Sequence, residues 1–140
     1  MAILQALAHV CIKTSDLDAT LRFYTGALGM EKVFDFTRRG EVIGFYLKIV
    51  PGAFVEVFHA DAPVSVGADR CLHHFCLQVT DIEAARNRLI EHGHAPGGIK
   101  TGADQSLQFW VEDPNGLSCE FHQYTERSSQ TTGQNAEVDW

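Results

Sequence analysis

Two nine-residue stretches, "AHVCIKTSD" at 8–16 and "HHFCLQVTD" at 73–81, carry the same order of reactive side chains. Each has a histidine, a cysteine two places on and an aspartate seven places on: His9, Cys11 and Asp16, then His74, Cys76 and Asp81. The copies stand 65 residues apart. Two glutamates, Glu56 in "FVEVF" and Glu120 in "SCEF", repeat at nearly the same offset, each four residues after a glycine (Gly52, Gly116). A carboxylate inside such an apolar run is hard to explain as packing, because buried carboxylates are rare unless a cation or a metal pairs them. A lone strand histidine is more often a core or surface residue than a ligand. Four side chains of ligating type in register across a repeat point instead to metal binding.

The elements that must position these residues follow from hydrophobic period. Residues 6–13 ("ALAHVCIK") predict a strand, and "SDLDATLRFYTGALGM" predicts a helix with Leu17, Leu21, Tyr24 and Leu28 on one face. Ser15 or Asp16 can cap its start, and Gly29 sits where a helix stops. "EKVFDF", "VIGFYLKIV" and "AFVEVFHA", separated by turns at Arg38–Gly40 and Pro51–Gly52, predict three strands joined by hairpins. After a linker near 60–70 the order returns: the strand "LHHFCLQV", the helix "TDIEAARNRLIEHG", a weaker strand around 98–101, "SLQFWVE", and "LSCEFHQY". Thr80 with Glu83 has capping-box spacing, and Gly93 supplies the stop. The fold class is therefore α+β, a tandem pair of βαβββ modules at about 5–60 and 71–124 within one domain, 1–124. Residues 125–140 are polar and aperiodic and predict a disordered tail.

Alternation along a strand places i and i+2 on one face. His9, Cys11 and Lys13 share a face opposite Val10 and Ile12. His74, Cys76 and Gln78 share one opposite Phe75, Leu77 and Val79. Phe54, Glu56 and Phe58 go together, as do Ser118, Glu120 and His122. With the apolar faces packed on the helices, the histidines and glutamates turn toward whatever the sheets enclose.

Composition narrows the class further. A chain of 140 residues fits one domain. With 11 Lys+Arg against 18 Asp+Glu its net charge of −7 is a poor match for nucleic acid or an anionic membrane. No run approaches the ~20 apolar residues of a bilayer span, and the opening "MAILQALAHV" lacks signal-peptide features. Four cysteines without a CxxC read as reduced thiols of a cytoplasmic protein, with Cys11 and Cys76 as small buried hydrophobes, the alternative being a place near the metal.

"HVCIKTSDLDATLRFYTGALGM", "HFCLQVTDIEAA" and "FWVEDPNGLSCEF" resemble the vicinal oxygen chelate superfamily, most nearly its glyoxalase I (lactoylglutathione lyase) branch. The resemblance covers residues 5–124. It implies modules whose curved sheets form a half-open barrel around one divalent metal per site (Ni, Zn, Co, Mn or Fe), in a homodimer that binds a small substrate with vicinal oxygens. The metal ligands it implies are His9, Glu56, His74 and Glu120. His74 is chosen over His73 because it alone has Cys at +2 and Asp at +7. Two imidazoles and two carboxylates are hard-to-borderline donors that leave positions for water or substrate. The implied reaction moves a proton between neighbouring carbons through a metal-stabilised enediolate, with Glu120 as base and Glu56 as its counterpart.

Other residues divide less sharply. His122, on the Glu120 face, is a candidate substrate contact or support for a ligand, and equally a surface residue. Arg38 is a candidate for an anionic substrate group, against a solvated Arg38–Arg39 turn. His59, His92 and His94 read as structural or solvated. Gly26 stands where glyoxalase I enzymes usually carry a basic residue after "FYT", and "HADAPVSVGAD" lacks their Asn-containing segment, so a glutathione adduct is the family's substrate rather than one these residues indicate. Methylmalonyl-CoA epimerases usually place Gln where Glu56 stands. Two alternatives stand beside the lyase: an extradiol dioxygenase using His9, His74 and Glu120 for Fe²⁺, and a metal-free binding module like bleomycin-resistance proteins.

Overall fold

The computed structural model describes residues 3–66 and 71–138; part of the expected linker and the end of the tail lie outside the described residues. The chain divides into two compact units, Met1–Ser65 and Val66–Trp140, one for each repeat.

The first unit runs β1 (His9–Thr14), α1 (Leu17–Leu21), a π-helical segment (Arg22–Ala27), β2 (Glu31–Arg38), β3 (Glu41–Val50) and β4 (Ala53–His59). Its sheet has the order β1-β4-β3-β2, with β1 parallel to β4 and the hairpins antiparallel. Asp16 caps α1, its Oδ1 accepting from the Ala19 amide at 2.8 Å. The expected single α-helical face is altered by the π segment, in which Leu28 N–H reaches back to Phe23 O at 3.1 Å and the Thr25 hydroxyl occupies Leu21 O at 2.7 Å. The wider turn seats Thr20, Phe23, Tyr24 and Ala27 in the core, while Leu17, Leu21 and Leu28 are half-buried. Against them pack Ile12, Phe45, Leu47, Val55 and Val57, each fully buried side chain contributing about 1.5–3 kcal/mol. The β2–β3 hairpin turns through Arg39 and Gly40, both at positive φ (54° and 84°), as a two-residue turn matched to strand twist requires.

The second unit repeats the plan: β5 (Phe75–Gln78), α2 (Ile82–Glu91), β6 (Lys100–Thr101), β7 (Leu107–Glu112) and β8 (Ser118–Gln123), in the order β5-β8-β7-β6. Asp81, not Thr80, caps α2, accepting from Ala84 N–H at 2.9 Å, and the Gln123 side chain accepts from Ile82 N–H at 2.9 Å. Ile82, Leu89, Phe109, Val111, Cys119 and Phe121 form the core, with Phe109 and Phe121 stacked at 4.7 Å. The molecule is thus α+β, two four-stranded mixed sheets, neither closed on itself. No helix among the described residues is long and apolar enough to cross a membrane.

The expected disordered tail departs from expectation at its start. Residues 125–133 fold back on their own unit and form a turn of helix, α3 (Ser129–Thr132). Ser128 is fully buried, its Oγ accepting from Ser106 Oγ at 2.9 Å, while Ser129 N–H and Gln130 Nε2 donate to Asp104 O and Oδ2 at 2.8 and 2.6 Å. Polarity in this segment serves a hydrogen-bond network instead of solvation.

Candidate metal centre

In each unit the parallel pair of strands sets the chemistry. Cys11 lies opposite Glu56 across β1 and β4, and Cys76 lies opposite Glu120 across β5 and β8. The next strand sets an aromatic ring beside each glutamate: Tyr46 opposite Glu56, Trp110 opposite Glu120. One register, built twice, carries the sequence repeat into space.

In the first unit, His9 opens β1 and its Nε2 stands 3.8 Å from Glu56 Oε2. Its Nδ1 shares a 3.3 Å hydrogen bond with Tyr46 Oη, which leaves Nε2 for the carboxylate or for an ion between them. Burial, reinforced by the hydrogen bond and charge of Glu56, pushes the Cys11 thiol up. Around Glu56 lies an aromatic face that strand alternation in β4 alone did not disclose. Phe34 stacks on Tyr46 at 4.9 Å, Tyr46 on Phe54 at 5.0 Å, and Phe36 packs on Phe58 at 4.5 Å. Gly44 sits between Phe36 and Phe58 in the sheet, and a Cβ there would run into Val57 O and the Phe58 ring. The i, i+2 aromatic pairs in "FDF" and "FVEVF" are the signal that reveals this face once β2 and β4 are joined through β3.

In the second unit, His74 directly precedes β5, with Nε2 3.3 Å from Glu120 Oε2 and the Trp110 ring edge-on at 4.7 Å. His73 does not compete for the carboxylate; its Nδ1 hydrogen-bonds His74 Nδ1 at 2.9 Å. Glu120 is buried, and its other oxygen lies 3.0 Å from His122 Nε2. That approach is off the hydrogen-bond direction, so the buried His122 Nε2 has no hydrogen-bond partner. His122 Nδ1 faces Asp104 Oδ2 at 3.8 Å. Burial works against the Asp104 charge, but hydrogen bonds from Gln130 and Ser106 outweigh it and hold its carboxyl below the usual range.

The cysteines correct the sequence reading. Cys11 and Cys76 are exposed, not buried hydrophobes, and Cys119 is the buried one; all four are free thiols. Cys76, although exposed as a residue, has its sulfur crowded by protein. That desolvation, with the charge and hydrogen bond of Glu120, pushes its thiol up to about 12. Arg38 is exposed at the end of β2, and among the described residues no contact joins it to His9 or Glu56. His59 faces Asp61 at 3.6 Å, away from the site as expected.

The donors suit a divalent ion. Neighbouring ligand atoms around an octahedral ion with bonds near 2.1 Å stand about 3 Å apart. The His74–Glu120 separation of 3.3 Å is close to that, the His9–Glu56 separation of 3.8 Å slightly wider. The buried His122 Nε2, beside the Glu120 carboxylate but without a hydrogen bond, is the kind of atom an ion or a ligand satisfies.

Comparison with known proteins identifies the family and the fold. A model of the Glyoxalase/Bleomycin resistance protein/Dioxygenase superfamily matches residues 6–121. A probable lactoylglutathione lyase of Synechocystis sp. is 29% identical over 125 residues, covering 84% of this chain and 94% of the relative. The crystal structure of a glyoxalase family protein from Enterococcus faecalis is 26% identical, with a TM-score of 0.74 over 86% of this chain and 99% of that one. A fosfomycin resistance protein from Listeria monocytogenes shares the fold at 14% identity, with a TM-score of 0.69 over 88% of this chain and 96% of that one.

Proposed function

The chain belongs to the Glyoxalase/Bleomycin resistance protein/Dioxygenase superfamily, and from that premise we propose that it is a divalent-metal-dependent lyase or isomerase of the lactoylglutathione lyase type. The observation that carries the reading is the His–Glu pair, built at the same strand positions in both units. His9, Glu56, His74 and Glu120 would hold the ion, as members of the superfamily commonly hold one. The pairs would come from one chain or from two copies in a homodimer within a reducing cytoplasm. When bound, a divalent ion polarises a substrate carbonyl and so lowers the cost of removing the proton on the adjacent carbon.

The protein's own part is to place a base. Glu120 takes that proton and returns it to the neighbouring carbon, while Glu56 stays as its counterpart ligand. Trp110 and Tyr46 flank the two glutamates and limit water around them. Glu120→Gln is therefore expected to lower kcat by about 10²–10⁴ while retaining the fold. The test is metal content of the full chain purified without a metal-affinity tag, with turnover of the methylglyoxal–glutathione adduct in Ni²⁺, Zn²⁺ or Mn²⁺. A protein that takes up no metal, or a Glu120→Gln variant of full activity, ends this reading.

The aromatic face of the first unit favours a second reading, in which a flat ring stacks on Phe54, Phe58 and Tyr46 and the chain opens catechols with Fe²⁺ on His9, His74 and Glu120. Oxygen uptake with catechol and Fe²⁺ would favour it over proton transfer.

A further inference from the structure

Glu120 uses one oxygen toward His74 and leaves the other in different company. Cys76 Sγ, a Glu120 oxygen and a His122 nitrogen all lie within 4.8 Å of one another, so one ion could be reached by all three. Three independent features of His122 fit a ligand. It is 8% exposed, its buried Nε2 makes no hydrogen bond although Glu120 Oε1 stands 3.0 Å away, and its other nitrogen faces the Asp104 carboxylate at 3.8 Å. Ligating histidines commonly turn their second nitrogen to a carboxylate in this way. Asp104 is itself fixed by Ser106 and Gln130, which gives the imidazole a rigid backing.

We propose that the second unit alone holds a thiophilic divalent cation, of the zinc or cobalt class, on Cys76, Glu120 and His122, at a position that shares Glu120 with the His9/Glu56/His74/Glu120 set but needs neither His9 nor Glu56. Sulfur, nitrogen and oxygen donors together select such an ion over magnesium or calcium. Cys76 enters as the thiolate, and its proton leaves to solvent. The first unit has no such site, since Phe58 occupies the strand position that His122 occupies in the second.

The test titrates the full chain with Co²⁺ and follows the thiolate-to-cobalt charge-transfer absorption in the near ultraviolet, then displaces the ion with Zn²⁺. The wild-type chain shows the band. Cys76→Ser abolishes it, and His122→Asn removes it or shifts it. Asp104→Asn weakens Zn²⁺ binding by about tenfold. His9→Ala and Glu56→Gln keep the band whether or not turnover survives, which separates this site from the proposed catalytic one. Far-ultraviolet circular dichroism of each variant verifies its fold. A wild-type chain without the band, a band that survives Cys76→Ser, or one lost in a folded His9→Ala variant overturns the proposal.

Discussion

At the scale of single residues, Glu120 governs its neighbours. Burial first, then the charge and hydrogen bond of Glu120, keep the Cys76 thiol protonated up to about pH 12. The thiolate is the form that reacts with alkylating agents, so modification of Cys76 by iodoacetamide at pH 8 is slow and rises about tenfold per pH unit toward that value. Glu120→Gln acts on two of the four causes, burial and the Asp104 charge remaining, and its Cys76 peptide is alkylated several-fold faster at pH 8 by mass spectrometry. Tyr46 holds His9 through a hydrogen bond. Tyr46→Phe deletes the hydroxyl that engages His9 Nδ1 and is expected to lower affinity for the proposed catalytic ion by about tenfold, read by calorimetric titration, with thermal stability unchanged. His9 and His74 were legible from sequence because a repeat flags them. Asp104 was not, because its link to His122 joins a turn to a strand 18 positions away and no local pattern announces that contact.

Among the elements, β3 depends on a missing side chain. Gly44→Ala would press a methyl group against the Val57 carbonyl and the Phe58 ring, and is expected to cost about 1–3 kcal/mol in denaturant unfolding. The hairpins and both helix stops follow from turn residues visible in the sequence. The π segment does not, since the Thr25 hydroxyl that competes for Leu21 O looks like any other helical threonine. The 125–133 segment escaped for a related reason: its polar composition is that of a solvated tail, but its partners are Asp104 and Ser106. Its pH response follows from Asp104. The folded carboxyl is held below the unfolded value of about 3.9. The stabilisation is therefore complete above that pH and is lost as pH falls through the lower, folded value. Acid thus releases the segment, measured as the onset of C-terminal proteolysis by an acid-active protease. Gln130→Ala, which removes a hydrogen bond to Asp104, moves that release to higher pH.

For the whole molecule, duplication was the most legible property, because two copies of one pattern predicted two sheets of the same strand order. Which copies cooperate is a matter of assembly. If each centre joins the first unit of one chain to the second unit of another, inactive His9→Ala and His74→Ala chains complement each other when mixed and reassembled. A mixed dimer then carries one intact centre, and random pairing restores about a quarter of wild-type activity. Absence of recovery after verified subunit exchange would place each centre within a single chain.

Two strands that align on their glutamates diverge two places further on, where one keeps a benzene ring and the other an imidazole. On the proposals above, that exchange would divide the labour of two similar halves: one with a greasy floor on which planar compounds can lie, the other with a nitrogen that an electrophile could take. Copying the module would then have doubled the scaffold without doubling its task, and a chain built from two identical halves of either kind would lose what the mismatched pair supplies.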